Sequence, residues 1–280
     1  MSFDKRKPNK SSNPPSKFQS KFQPKLAPKL PPKIATNQIW IYGTHPVKAV
    51  MLNKKRKVFK ILVIQSNQKE LEDFIKENKL EIDQKIISVV NNDEISLNFS
   101  GKVTHQGFAI LCSTLNFASD NEFFVKIKNN NFGNILILDQ LTDPHNIGAI
   151  IRSAAAFDVT KIILSKQTFG GENATICKSS SGVIENVEII LAGNLNSFIE
   201  KIKEHNYWVV GLDGYGKNNF SEIRNYEKIC LVVGSEGDGI RKLVKKNCDL
   251  LLRIPTSGNV ESLNASNAAA IALYEISRKI

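Results

Sequence analysis

Two patterns of hydrophobic residues divide the chain. Over 38–114, the apolar runs IWIYG, KILVIQ, KIISVV and QGFAILCST alternate with helical patterns, one of which begins at Thr44 as a plausible cap. From NILILD (134–139) onward, the longer apolar runs KIILS, VEIIL, YWVVGL, KICLVVG and DLLLRIP alternate with helical segments. Strands that are apolar throughout are typical of a parallel sheet covered by helices on both faces. We therefore predict a small α/β domain, followed by a doubly wound α/β domain over 133–280.

Two polar segments lie outside these patterns. Residues 115–132 are rich in Asn, which predicts a linker, with or without one helical turn. Residues 1–37 repeat lysine and proline, and proline prevents a continuous helix, so we expect an extended, disordered tail. The tail holds nine basic residues against one acid, so +8 of the net charge of +11 lies there. Such a tail is suited to binding polyanions with little sequence discrimination, or it serves only as a solubilising arm.

The composition excludes several other classes of protein. A hydrophobic content of 41% is enough for a core, which argues against wholesale disorder. No apolar run approaches the roughly 18 residues of a membrane span, and the N-terminus lacks the apolar segment of a signal peptide. The four cysteines include no CxxC pair, and the four histidines have no ligand spacing. We therefore expect neither a metal site nor disulfides, but buried thiols in a reducing cytoplasm.

Three polar loops follow predicted strands, at the end of a parallel sheet where ligands bind. In the first, LDQLTDPHNIGAIIRSAAAFD (138–158), Asn146 is a candidate cap for a helix that would start at Ile147 after Pro144. Arg152 falls in the first two turns of this helix, where a cation opposes the helix dipole. Its position indicates an anion-binding role, and a solvated arginine is the alternative.

The other two loops are rich in glycine and in small polar residues. LVVGSEGDGIRKL (231–243) has the glycine order G-x-x-G-x-G, which differs from that of dinucleotide-binding proteins, and Glu236 within it would repel a pyrophosphate. A nicotinamide dehydrogenase is therefore excluded, and a cationic or ribose-bearing ligand fits better. IPTSGNVESLNASNAAAIALYE (254–275) has no His, Cys or Lys, so it would bind a ligand through main-chain groups. The alternative is a helix start within a densely packed core.

Taken in order, the three motifs DPHNIGAIIRSA, GSEGDGIR and IPTSGNVESLNASNAAAIALYE resemble those of the SpoU (TrmH-like) family of RNA 2′-O-ribose methyltransferases. The resemblance covers essentially all of 134–280. The segment 38–114, with IYGTHPVKAVM near its start, looks like the family's ribosomal-protein-like substrate-binding domain. This arrangement is most similar to RlmB-type members, which methylate a guanosine ribose in 23S ribosomal RNA. Methylation of a tRNA ribose, or RNA binding without catalysis during ribosome assembly, are the alternatives. The tail is not part of the family pattern.

The resemblance implies a trefoil knot in the second domain, a homodimer and S-adenosylmethionine as cofactor, without a metal. By resemblance, the cofactor contacts are Gly234, Ile254 and Leu263. The catalytic set is Asn146, Arg152, Glu236, Ser262 and Asn264. The family mechanism makes Arg152 the proton acceptor, but a guanidinium group stays protonated in proteins. A bidentate clamp on a neighbouring phosphate is the conservative alternative, and the sequence does not distinguish the two roles.

Overall fold

The structure is a computed structural model that describes residues 34–224, 226–257 and 262–278. The predicted disordered tail therefore lies outside the described residues as far as residue 33. Residues 34–37, the end of the predicted tail, are exposed. Residues 258–261, in the middle of the third polar loop, also lie outside the described part.

A four-stranded sheet forms the first part of the described chain, in the order β1-β4-β2-β3. Strand β4 runs antiparallel to β1 and β2, and β3 runs parallel to β2. Its strands and helices are β1 (Gln38–Tyr42), α1 (Thr44–Leu52), β2 (Val58–Ile64), α2 (Gln68–Glu77), β3 (Ile87–Val90), α3 (Asn92–Ser96) and β4 (Phe108–Ser113). The α/β class predicted for this part is confirmed.

A seven-stranded sheet forms the second part, in the order β11-β9-β10-β6-β7-β8-β5, and every neighbouring pair is parallel. Its strands are β5 (Ala118–Ser119), β6 (Ile135–Leu138), β7 (Lys161–Ser165), β8 (Glu188–Ala192), β9 (Trp208–Leu212), β10 (Ile229–Val233) and β11 (Leu250–Leu252). Its helices are α4 (Asp120–Ile127), α5 (Pro144–Ala156), α6 (Ala174–Ser179), α7 (Leu195–Lys203), α8 (Lys242–Lys246) and α9 (Ala265–Ser277). The predicted doubly wound parallel sheet is confirmed.

The strands of this sheet are apolar throughout because both faces are covered. In β6, Ile135 and Ile137 belong to a cluster with side chains of α7 and α8, such as Phe198. Leu136 and Leu138 belong to the cluster on the other face, which includes side chains of α5 and α9. Alternate residues of one strand therefore meet opposite helix layers, as the period of two requires.

The segment 115–132 has more regular structure than its polar composition predicts. It contributes edge strand β5, which pairs with β8, and helix α4. Ser119 caps α4 in a capping box with Glu122, and Phe123 is fully buried against Phe198, with ring centroids 5.4 Å apart. The Asn-rich residues that follow α4 obscure this short helix in the sequence.

Helix α5 begins earlier than the sequence indicated, so the prediction that Asn146 caps it is wrong. Asp143 is the cap, and its side chain accepts a hydrogen bond from the His145 backbone N–H at 3.0 Å. Pro144 occupies the first position of the helix, where the missing N–H costs nothing. Asn146 consequently lies inside the first turn, is 9% exposed, and is free to use its amide elsewhere.

The prediction that Thr44 caps α1 is also wrong. The cap is Gly43 at φ 99°, a backbone conformation that suits glycine, and no side chain caps the helix locally. The Thr44 N–H instead donates to Gln106 Oε1 at 3.4 Å, so a residue 62 positions away takes the capping role.

Glycine at position 148 lets α5 pack directly against α6. A Cβ atom there would lie 2.0 Å from Ser179 Oγ and 2.8 Å from the Ile176 carbonyl oxygen. Helix α5 carries both Asn146 and Arg152, so this close approach sets where the first loop's side chains lie relative to α6.

We expect Gly148→Ala to lower the free energy of unfolding by about 1–2 kcal/mol, because overpacking outweighs the gain in helix propensity of about 1 kcal/mol. Urea denaturation measures the change. Gly170→Ala is the matched control, since a Cβ atom at position 170 would meet nothing within 4 Å. Equal unfolding midpoints for Gly148→Ala and the unaltered protein would contradict the packing argument.

Candidate active site

The site forms where the two central strands of the parallel sheet end. Strands β6 and β10 are neighbours, although 90 residues of chain separate Leu138 from the start of β10. The Asp139 backbone N–H, directly after β6, donates to the Val233 carbonyl at 2.8 Å, so both loops leave the sheet together. After β6, the chain adds β7 and β8 on one side of that strand and then crosses over to add β9 and β10 on its other side. The ends of β6 and β10 therefore form a topological switch point of the sheet.

Three of the predicted catalytic side chains meet at this edge, and we refer to Asn146, Glu236 and Asn264 as the amide–carboxylate cluster. Asn264 Nδ2 donates to Asn146 Oδ1 at 3.0 Å and to Glu236 Oε2 at 3.4 Å. Asn146 Nδ2 donates to the same Glu236 oxygen at 3.3 Å. Each of the three sequence motifs supplies one member, so the three polar loops form one site.

One carboxylate oxygen of Glu236 can still accept a hydrogen bond from outside the cluster. The residue is exposed, and its Oε1 atom makes no hydrogen bond within the described part of the chain. The carboxylate is therefore held through one oxygen by two amide groups, while the other oxygen can accept a hydrogen bond from a ligand hydroxyl.

Asn264 has two roles, because it also caps helix α9. Its Oδ1 accepts hydrogen bonds from the Ser266 backbone N–H at 2.9 Å and from Ser266 Oγ at 2.6 Å. The capping contact fixes the side chain, so its Nδ2 group is directed at the cluster rather than at water. The run LNASNAAA therefore serves both as the helix start and as part of the site.

The loop after β10 is a closed turn that presents Glu236. Ser235 and Gly239 exchange two backbone hydrogen bonds at 3.1 and 3.0 Å. A Cβ atom on Gly234 would lie 2.1 Å from the Gly239 carbonyl carbon, so no other residue fits at position 234 without displacing the turn. Gly234 is thus required by the turn itself, and its predicted contact with the cofactor stays a prediction.

Asp139 and Arg241 are a pair that the sequence reasoning missed. Asp139 has no exposed surface, and its two carboxylate oxygens accept from the Arg241 backbone N–H at 2.9 Å and from Arg241 Nε at 2.8 Å. The pair links the loop after β6 to the end of the turn after β10. The only sequence signal is an acid that directly follows an apolar strand in LILD, and it does not identify a partner 102 residues away.

The remaining predicted site residues lie outside the amide–carboxylate cluster. Arg152 is exposed on α5, and its side chain makes no hydrogen bond or ion pair with any residue that the structure describes. Ser262 is exposed, while Ile254 and Leu263 are half-buried on either side of 258–261. The roles of these four residues stay predictions.

Comparison with known proteins agrees with this geometry. The model of the SpoU rRNA methylase family matches residues 133–274, and the model of the RNA 2′-O ribose methyltransferase substrate-binding domain matches residues 40–118. The chain belongs to the SpoU family. This SpoU protein is 34% identical to a Staphylococcus epidermidis protein named as a TrmH family tRNA/rRNA methyltransferase, over 86% of this chain and 96% of the relative. A Staphylococcus aureus protein of the same name is 36% identical over 85% and 95%.

Solved SpoU structures share the fold. The methyltransferase AviRb from Streptomyces viridochromogenes, in complex with AdoMet, superposes with a TM-score of 0.68 at 21% identity, covering 86% of this chain and 90% of AviRb. An AdoMet-bound rRNA methyltransferase from Sinorhizobium meliloti gives 0.67 at 21% identity, covering 87% and 88%. This similarity supports the predicted trefoil knot.

Two features are absent from the described residues. No group of three or more His, Cys, Asp or Glu side chains in this part of the chain is placed to hold a metal ion. Within 34–224, 226–257 and 262–278, no helix is both long and apolar enough to cross a membrane.

The dual role of Asn264 leads to a stability prediction. We expect Asn264→Ser to change the free energy of unfolding by less than about 0.5 kcal/mol, because serine caps a helix as well as asparagine does. Asn264→Ala should cost about 1 kcal/mol, since alanine leaves the Ser266 N–H without its acceptor. Urea denaturation of both variants measures this difference. Equal losses would mean that the contacts to Asn146 and Glu236, rather than the cap, stabilise this region.

Proposed function

We propose that this SpoU protein transfers a methyl group from S-adenosylmethionine to the 2′-hydroxyl of a ribose in RNA, with a guanosine of 23S ribosomal RNA as the target. The observation that carries the proposal is the amide–carboxylate cluster, built from all three motifs at the switch point of the sheet. The family match over 40–118 supports an RNA substrate. The AdoMet complexes of AviRb and of the Sinorhizobium enzyme support the cofactor.

Transfer RNA is the second candidate substrate. The staphylococcal relatives carry the name tRNA/rRNA methyltransferase, which leaves both RNA classes open. A separate substrate-binding unit favours ribosomal RNA by analogy within the family. Binding of RNA without catalysis fits less well, because a protein that had lost the reaction would not need to keep the cluster of Asn146, Glu236 and Asn264 intact.

The residues present fit S-adenosylmethionine. Ile254 and Leu263 supply half-buried apolar side chains on either side of 258–261. Glu236 adds a carboxylate, which suits a sulfonium cation and disfavours a pyrophosphate. The cofactor supplies an electrophilic methyl group.

In the reaction, the ribose 2′-oxygen forms a bond to the methyl carbon while the carbon–sulfur bond breaks and its electron pair stays on sulfur. The hydroxyl proton passes to water or to a neighbouring phosphate. Glu236 Oε1 accepts a hydrogen bond from the ribose, and the two Asn side chains hold the carboxylate in position. Arg152 clamps the phosphate and stabilises the charge that develops on oxygen. Alignment of the reacting atoms supplies much of the remaining rate.

A homodimer completes the site in this proposal. The Arg152 side chain has no partner in the described part of its own chain, as expected if it contacts a neighbouring subunit or RNA. On α9, Ile271 is 39% exposed and Tyr274 is 50% exposed, so this helix has apolar surface left beyond its buried face. A second copy of the chain would cover that surface, and two-fold symmetry is the commonest arrangement of soluble oligomers.

We expect Arg152→Ala to lower the single-turnover rate of methyl transfer by about 10²–10³, because an oriented cationic contact to the reacting region is lost. Isothermal titration should give the same affinity for S-adenosylmethionine, since Arg152 lies outside the cofactor loops. Arg224→Ala is the matched control, as Arg224 is also exposed and its side chain has no partner within the described residues. A wild-type rate for Arg152→Ala would remove it from the catalytic set.

The composite site predicts complementation between two inactive variants. After subunit exchange between Arg152→Ala and Asn264→Ala chains, each heterodimer would contain one site with both residues intact. Roughly half of the wild-type activity per heterodimer should return if Arg152 acts across the interface, because one of the two symmetric sites is restored. If both residues act within one chain, no activity returns. A monomer mass by light scattering at micromolar concentration would reject the dimer.

A further inference from the structure

A buried ion triad joins the substrate-binding unit to the methyltransferase unit, and we refer to Arg56, Glu172 and Glu185 as the seam triad. Arg56 lies between α1 and β2, whereas Glu172 precedes α6 and Glu185 lies in the short 3-10 turn Val183–Asn186. The Arg56 side chain donates to Glu185 at 2.9 and 2.7 Å and to Glu172 at 3.1 Å, with a further contact between Arg56 Nη2 and Glu172 Oε1. The three side chains are only 1%, 2% and 1% exposed.

Groups around the seam triad complete its hydrogen bonding. Arg56 Nη1 also donates to the Ser113 carbonyl at 2.5 Å. Glu172 accepts from the Leu115 backbone N–H at 2.7 Å, and Glu185 accepts from Asn53 Nδ2 at 2.7 Å. Burial by itself would lower the pKa of Arg56, but the two carboxylates raise that pKa above its ordinary value. The Arg56 guanidinium therefore stays charged between its two partners.

Much of the rest of the seam is apolar, although Lys178 of α6 also donates across it to Gln106 Oε1. One core cluster contains Val47 and Val50 of α1 together with Ile176 and Ile184 of the methyltransferase unit. Apolar contacts are non-directional, so they hold the two units together without choosing one angle between them. A guanidinium fork between two carboxylates accepts only a narrow range of directions.

Buried ion pairs usually add little to stability compared with apolar residues of the same size, because removing the charges from water costs about what their attraction returns. Their best-attested use is to select one arrangement among several. In this triad both ion pairs join one unit to the other, so the arrangement that they would select is the orientation of the two units.

The seam triad is also connected to the amide–carboxylate cluster. Glu172 directly precedes Asn173, the cap of α6. At the other end of α6, Ser179 Oγ donates to the Thr175 carbonyl at 2.7 Å, lies 3.3 Å from the Pro144 carbonyl oxygen and packs against Gly148. Pro144 and Gly148 belong to the first turns of α5, which also hold Asn146. Helix α6 is therefore a rigid connection between the seam and the site.

We propose that the seam triad is an orientation lock. It fixes the substrate-binding unit at one angle to the methyltransferase unit, so that RNA bound by the first is presented to the amide–carboxylate cluster of the second in one register. Arg56, Glu172 and Glu185 are thus positioning residues, and none of them touches the substrate. The statement about RNA rests on the proposed function, whereas the statement about orientation does not.

The decisive variant replaces the charges but keeps the volume. Arg56→Met, Glu172→Gln and Glu185→Met are combined, because Gln at 172 keeps an acceptor for the Leu115 N–H. We expect the unfolding temperature to stay the same or rise, since apolar replacement of a buried triad is often neutral or stabilising. The value of kcat/KM for RNA should fall about 10²-fold, because misplacing a substrate by about 1 Å has that effect.

Controls separate loss of orientation from loss of structure. The affinity for S-adenosylmethionine should stay unchanged in the triple variant. Lys126→Met with Glu188→Gln removes an exposed ion pair within the methyltransferase unit and should leave kcat/KM unchanged. If the triple variant does not fold, Glu185→Gln tests the same idea, because at nearly the same volume it removes one charge and replaces one of the two oxygens that accept from Arg56 with a donor. Wild-type kcat/KM and an unchanged product nucleotide in a folded variant would overturn the lock.

A distance measurement tests the orientation without any reaction. Spin labels on Val89→Cys and Val125→Cys place one label on each unit, because both side chains are exposed, at 42% and 70%. Burial raises the pKa of Cys112 and of Cys248 to about 12, and it raises the pKa values of Cys177 and Cys230 well above that of an ordinary thiol, so the native thiols react poorly. Unlabelled protein is added in excess, so that a dimer contains at most one labelled chain.

We expect one narrow distance distribution with the triad intact and a broader or shifted one in the triple variant. Identical distributions would overturn the lock. If wild-type protein transfers no methyl group to any RNA but the distributions differ, the proposed function fails and the lock stands. If methyl transfer occurs and the distributions are identical, the proposed function stands and the lock fails.

Discussion

Asp139 lies at the end of β6 with no exposed surface, and both of its carboxylate oxygens are bound by Arg241. A buried carboxylate without such partners would be strongly destabilising, so the loop after β10 must end where Arg241 can reach it. That requirement, together with the tight approach of Gly234 to Gly239, fixes the turn that carries Glu236. The geometry of the site thus follows from satisfying one buried charge at the centre of the sheet.

The site itself uses few chemical groups. Its assembled part consists of two amides and one carboxylate, and each is held by an element that has another structural purpose: the first turn of α5, the closed turn after β10 and the cap of α9. Such a site positions a hydroxyl rather than supplying a strong nucleophile. Positioning is sufficient when the methyl donor is intrinsically reactive, because alignment then accounts for much of the rate.

The two units form one packed body within the described residues. A single apolar cluster extends from the small sheet to the large one, and the seam triad lies within the contact. The same helix, α6, touches both the seam and the start of α5. Packed elements, rather than a flexible connection, therefore join the smaller unit to the amide–carboxylate cluster of the larger one.

The sequence by itself determined the class of the fold and the three loops whose side chains meet at the end of the central strands. Apolar strands with helices between them can only be buried in a covered parallel sheet, and three ordered motifs identified the loops, including Asn146, Glu236 and Asn264. The helix caps were less predictable from the sequence. Asp143 rather than Asn146 caps α5, and Gln106 supplies the acceptor at α1, because several polar side chains could accept the same backbone hydrogen bond and packing decides which one does. Asp139, Arg241 and the seam triad were decided only by the tertiary structure. A buried charge is stable only beside its partner. Arg241 lies 102 positions from Asp139, and Glu172 and Glu185 lie 116 and 129 positions from Arg56, so no local sequence pattern identifies these pairs.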